Sequence, residues 1–393
     1  MALRRGRKGN LGLEVMPLIE LALPAPDGQK LLRDRHTETV TAISDALGET
    51  LGNVSRLQGW QTQYAFEAVV VALGAVRLIK TEDAGLFYFD DADGELQPPD
   101  FRIVLSDGTR LLVEVKNVAP KGREAKVRAK DMAAAQAYTQ ATAGRLLYAL
   151  FWSEMGMWTL VDPSVFSDAG SKKRLSFIDA VKANEMHLLG DAMLASEPPL
   201  TFSVIMDRDK EQVMERLGNG EETRAFTIGG VELLSAGRVI TDPDEKKLAW
   251  FLLLHGGWPQ TEKPRFDDHG RLVQLDYISA PETPDEDAAR QIAEQGFAFF
   301  ATLSNLYTLR FLQAITTEEG NIRALREEPE PALLAQLVPD DYWARDDHVL
   351  RIWRFRLHPT KDASRNSTGP TLHPEPTVAQ LRDGTQGSPG SAP

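Results

Sequence analysis

Pro98-Pro99-Asp100-Phe101-Arg102-Ile103-Val104-Leu105-Ser106-Asp107-Gly108-Thr109-Arg110-Leu111-Leu112-Val113-Glu114-Val115-Lys116-Asn117 is the stretch that decides the fold. Two short apolar runs flank an Asp-Gly pair, a strong local signal for a β-hairpin. The first run opens on Asp100, and the second closes on Glu114 and Lys116 with one valine between them. Two carboxylates and an ammonium gathered at one end of a hairpin can hold a hard divalent cation. Carboxylate and carbonyl oxygens, completed by water or phosphate, are what Mg²⁺ takes.

The hairpin's register follows from which residues share a face. A two-residue turn at Asp107-Gly108 sets Asp100 opposite Val115 and sends Asp100 and Glu114 to opposite sides. A three-residue loop, Ser106-Asp107-Gly108 with Gly108 left-handed in a bulge, sets Leu105 opposite Thr109 and Asp100 opposite Glu114. Phe101, Ile103, Leu105, Leu111, Val113 and Val115 then share one face, and Asp100, Arg102, Arg110, Glu114 and Lys116 the other. A one-residue slip mixes the two sets and buries charge. The bulged register is therefore expected, with positive φ at Gly108.

Pro99-Asp100, a spacer and Glu114-Val115-Lys116 resemble the signature of the PD-(D/E)XK nuclease superfamily, over roughly residues 55–165. That resemblance implies a restriction-endonuclease-like mixed sheet flanked by helices. It also implies metal binding by Asp100 and Glu114 with the Val115 carbonyl, and a Lys116 that places the attacking water. Many members carry a further Glu on a helix before the first core strand, and Glu67 is the candidate here. The activity implied is a Mg²⁺-dependent endonuclease, with Mn²⁺ as the alternative ion. DNA rather than RNA as substrate rests on the resemblance alone. Against it stands a plainer reading, in which Glu-x-Lys is the solvent face of an edge strand. The apolar segments on both sides argue for a hairpin inside an α/β sheet instead.

Composition bounds the rest. The chain has 393 residues, 42% hydrophobic and 26% charged, enough for two domains with their own cores. It has no cysteine, so disulfides, zinc-thiolate sites and cysteine nucleophiles are excluded, and a reducing cytoplasm is the expected location. The seven histidines lack ligand spacing, which argues against a zinc hydrolase. No uninterrupted 18-residue apolar span occurs, so no membrane partner is expected. The net charge of −13 disfavours a non-specific nucleic-acid coat. Yet Lys116–Lys130 holds six bases and one acid, and Lys121, Arg123, Lys126 and Lys130 are the candidate contacts to a DNA backbone. Lys126 and Lys130 are placed one turn apart on a helix over 124–142. Lys172-Lys173-Arg174 forms a second basic cluster.

The expected organisation is an N-terminal segment over 1–36, a nuclease-like domain over 37–165 and a helical linker over 166–200. An α+β accessory domain over 201–357 and a disordered tail over 358–393 complete it. Helices are expected over 37–50 and 60–75, and strands over 76–80, 86–89, 146–152 and 157–161. In the accessory domain the reading is strands around 201–206, 224–228, 231–240 and 271–278, a helix over 244–255 and a long helix over 285–315. That domain carries no catalytic motif and suits DNA reading, a protein partner or homodimer formation. The rival function is therefore a nucleic-acid-binding or partner-binding regulatory module that keeps the nuclease fold.

Overall fold

The computed structural model describes residues 36–82, 87–90, 95–119, 123–216, 222–282, 296–338, 342, 345, 347–359 and 371–374. The chain divides into two compact units. The first comprises Met1–Gly190, Phe311–Leu333 and His358–Pro370, and the second Asp191–Arg310, Leu334–Leu357 and Thr371–Pro393.

In the first unit, helices α1 (His36–Leu51) and α2 (Val54–Leu73) precede strands β1 (Val76–Thr81), β2 (Phe101–Leu105) and β3 (Arg110–Val118). Strand β4 (Glu124–Arg128), helix α3 (Ala129–Ala141) and strands β5 (Arg145–Trp152), β6 (Met157–Val161), β7 (Ser167–Ala169) and β8 (Lys172–Ser176) follow, then the short α4 (Phe177–Lys182). The main sheet runs β1-β2-β3-β5-β6. Its one parallel pair is β3 with β5, joined across the intervening β4 and α3; the other neighbours are antiparallel. A parallel pair needs a crossover of that length.

β3 is central, and Leu111 through Val115 are all buried, as expected of a strand covered on both faces. Helix α2 covers one face through Phe66, whose ring lies 5.9 Å from Phe101 and 5.3 Å from Trp158. Phe66 has no exposed surface, so truncation to Ala costs about 3–5 kcal/mol. On the other face Met132 and Ala135 of α3 join Leu146, Tyr148 and Leu150 of β5 in one buried cluster. The ends of α2 are set locally. The Asn53 side chain accepts from the Arg56 amide at the N-terminus, and Gly74, at φ 69°, ends the helix by donating to the Val70 carbonyl.

The hairpin takes the bulged register. Phe101 pairs with Val113 and Val104 with Arg110, and the Leu105 amide donates to the Thr109 carbonyl at 2.9 Å. Gly108 has φ +90°. The Asp107 carboxylate accepts the Thr109 amide at 2.8 Å and closes the turn.

The second unit holds two larger sheets. One is built from β10 (Leu200–Met206), β13 (Ile228–Ser235), β14 (Arg238–Val239), β15 (Gln260–Phe266) and β16 (Leu272–Ser279). In the other, β9 (Met193–Ser196) lies between β17 (Ala298–Thr302) and β18 (Ile352–His358), with β19 (Thr371–Pro374) beyond β18. A small hairpin, β11 (Val213–Arg216) with β12 (Glu222–Ala225), and helix α5 (Pro243–His255) follow; helix α6 (Leu303–Ile315) belongs to this unit through Arg310, and helix α7 (Leu333–Leu337) from Leu334.

Several expectations are corrected. Residues 124–128 are strand, not the first turn of a helix, because Ala125 and Val127 alternate inward with period two and β4 pairs with β8. The 166–200 stretch is no helical linker: β7 and β8 extend the first unit, and β9 is a sheet strand of the second. The helix expected over 285–315 begins only at Leu303; residues 298–302 are strand, and 283–295 lie outside the described residues. Residues 87–89 form no strand. Within the tail expected over 358–393, Thr371–Pro374 forms an edge strand, and 360–370 and 375–393 lie outside the described residues.

Candidate active site

The geometry is built where β2 begins beside β3. Continuing the observed pairing by one residue brings Asp100 level with Glu114. The Asp100 carboxylate takes the place of a ladder carbonyl: its Oδ2 accepts the Val115 amide at 2.6 Å. Its Oδ1 accepts Nε2 of Gln63, from α2, at 2.6 Å. Glu114 Oε1 accepts Nζ of Lys116 at 2.5 Å. Asp100 is 7% exposed and Glu114 8%, while the Lys116 side chain keeps 43% of its surface. Two carboxylates are thus held at low exposure next to a cation that reaches solvent.

Burial works against the Lys116 ammonium, but Glu114, which accepts its hydrogen bond, outweighs that cost with help from Asp100 and Asp131. The pKa is held above the ordinary lysine value. Lys116 is accordingly a charged donor at neutral pH. Tyr148 lies next to Glu114 in the β3–β5 register, with its ring packed against Phe166. Burial, then the negative charge of Glu114, Asp131 and Asp100, pushes its phenol well above the usual range, so it stays protonated.

Glu67 is not brought into a ligand set with Asp100 and Glu114. Its Oε1 accepts Nη2 of Arg326 at 3.1 Å, and among the described residues no group of three His, Cys, Asp or Glu side chains is placed to hold a metal ion. The side chain of α2 that reaches Asp100 is Gln63, one turn earlier. Glutamine is absent from the acidic pattern that points to a metal site, so sequence reading passed over it; its i, i+4 spacing from Glu67 was the available signal. Glu82, just past β1, is a second residue missed. Its amide donates to the Asp100 carbonyl at 2.9 Å, while its carboxylate accepts from Tyr138 at 2.7 Å and from Arg102. Those two donors turn it toward α3.

The candidate nucleic-acid contacts are arranged differently from expectation. Lys126 lies on β4 and Lys130 on α3, so they do not share a helix face. Lys121 lies outside the described residues, and Arg123 directly precedes β4 as an exposed residue. Instead β4 pairs with β8 so that Lys126 faces Arg174 and Arg128 faces Lys172. All four are exposed on one face of the strand pair, and Ala125, Val127 and Leu175 are buried on the other. Two basic clusters remote in sequence become one ribbon. Glu124 lies within 3.9 Å of Lys126 and 3.8 Å of Arg174, and Asp131 pairs with Arg128 at 2.7 Å.

No family model matches the chain, and no curated protein matches it. Among solved structures it is similar to a Holliday junction resolvase from Archaeoglobus fulgidus, an archaeal hyperthermophile. The identity is 14% and the TM-score 0.23, over 28% of this chain and 86% of that one. No described helix is long and apolar enough to cross a membrane.

Proposed function

We propose that the first unit is a divalent-metal-dependent nuclease that hydrolyses DNA phosphodiester bonds. The observation that carries this reading is Asp100, just before β2, and Glu114, on the adjacent β3, both buried, with Lys116 donating to Glu114 at 2.5 Å. Buried carboxylates persist when paired or when they coordinate a cation. This donor set fits Mg²⁺ or Mn²⁺: Asp100, Glu114 and the Val115 carbonyl are hard oxygen ligands, with no sulfur or imidazole among them. Bound there, the ion would lower the pKa of a water and neutralise charge on the phosphate.

The chain's own groups do the rest. The Val115 amide and the Gln63 amide fix Asp100, so that its orientation is set before substrate arrives. Lys116, charged and solvent-reaching, orients a water and balances the negative charge that accumulates on a phosphoryl centre under attack. The basic ribbon of Lys126, Arg128, Lys172 and Arg174 suits a phosphodiester backbone by charge. DNA as the substrate follows the PD-(D/E)XK-like signature.

The test is direct. The full chain is incubated with plasmid and linear DNA in Mg²⁺, in Mn²⁺ and in EDTA, alongside Asp100→Ala and Glu114→Ala. Metal-dependent nicking lost at least ~100-fold in either variant, with the fold retained by circular dichroism, is the expected result. DNA retention without cutting in any metal would favour a binding module and overturn the nuclease reading.

A further inference from the structure

Resting on the metal reading above, we infer that Gln63 is the positioning residue of this site and restricts it to a single divalent cation. Three observations carry this. Nε2 of Gln63 lies 2.6 Å from Asp100 Oδ1, and a carboxylate oxygen only accepts, so the amide presents its NH₂ there. The other Asp100 oxygen accepts the Val115 amide at 2.6 Å, so both oxygens are held by neutral donors before any cation binds. And the acid on the next turn of α2, Glu67, is engaged with Arg326 at 3.1 Å. Helix α2 therefore contributes an uncharged donor where a third carboxylate would otherwise complete a metal-ligating cluster.

Charge decides what this does. Asp100 and Glu114 against Lys116 leave one net negative charge at low exposure. One divalent cation and one phosphodiester bring that total to neutrality. A second cation would leave two further positive charges beside the buried carboxylates, where among the described residues no third acid joins them in a metal-holding group, and buried uncompensated charge is strongly unfavourable. An amide can hold Asp100 in place without adding the negative charge a second ion needs. Gln63→Glu, nearly isosteric, adds one negative charge, and Gln63→Ala removes the positioning alone.

The experiment titrates the full chain with Mn²⁺, without DNA, by calorimetry and by the loss of free-ion electron paramagnetic resonance signal. Wild type should bind one Mn²⁺ per chain. Gln63→Ala should keep that stoichiometry with affinity weakened about tenfold, in the range that loss of an outer-shell partner gives. Gln63→Glu should bind its single Mn²⁺ more tightly than wild type, and Glu67→Gln should change nothing. Two ions in the wild type, or unaltered titrations in both Gln63 variants, would overturn the inference while leaving the nuclease reading intact. No Mn²⁺ bound by the wild type, or binding indifferent to Asp100→Ala, would overturn both. Gln63→Ala keeps the test decisive if Gln63→Glu fails to fold.

Discussion

Lys116 differs from Asp100 and Glu114 in that most of its surroundings are negative while its side chain still reaches water. Its folded pKa is raised, so any stability its pairing gives is fully present below the ordinary lysine value. That stability is lost only as pH rises through the higher folded value. In the metal-free chain the ammonium therefore stays charged across neutral pH. The expected outcome for Lys116→Met is a loss of cleavage of about 100-fold or more at every pH between 7 and 9, with Mn²⁺ binding retained. Wild-type-like cutting would show that the ammonium serves only to neutralise Glu114, and abolished ion binding would report a disturbed site. The pairing of Asp100 with Glu114 was legible in the sequence because the penalty for mixing faces singles out one register. The role of Gln63 was not, since a neutral amide on the helix expected over 60–75 is no part of an acidic metal-site pattern.

At the scale of elements, what sequence displayed was periodicity, and what it hid was pairing. β3, β5, β6 and α5 were readable because long apolar or amphipathic runs set their type. β4 was hidden because Glu124–Arg128 abuts an Ala-rich helix, and only β8, far along the chain, makes it a strand. The start of α6 was hidden similarly. Its N-terminus is capped in space by Asp191, whose Oδ1 accepts the Ser304 amide at 2.9 Å and whose Oδ2 accepts the Ser304 hydroxyl at 2.6 Å. Burial, against these hydrogen bonds, pushes the Asp191 carboxyl up to about 6. A raised carboxyl pKa means that the folded chain binds the proton more tightly. Its contribution is therefore greatest below the ordinary aspartate value and is lost as pH climbs through about 6. Asp191→Asn should flatten the pH dependence of unfolding between pH 4 and 7, removing a change on the order of 2–3 kcal/mol. Denaturant melts of the two chains across that range would measure it, and parallel curves would mean that Asp191 does not titrate there.

Over the whole molecule the net charge is −13, so a DNA backbone meets overall repulsion and must be drawn in by local field. The β4–β8 ribbon is the described surface best suited to this, because its register converts two short basic clusters into one face. Part of that charge is already offset, Lys126 and Arg174 both lying near Glu124. The pair is thus a sensitive place to intervene: reversal removes two cations and leaves Glu124 beside two new acids. If the ribbon carries the backbone, Lys126→Glu with Arg174→Glu should weaken binding to all DNA sequences alike, since phosphate contacts carry no base information. It should also flatten the dependence of log affinity on log salt by about 1–2, as each lost phosphate contact removes about 0.9. Both residues lie outside the Asp100–Glu114–Lys116 group, so Mn²⁺ binding provides an internal control for an intact site. An unchanged slope in the double variant, with Mn²⁺ binding also unchanged, would mean that the backbone is held by another surface. A slope lost together with ion binding would instead report a damaged fold.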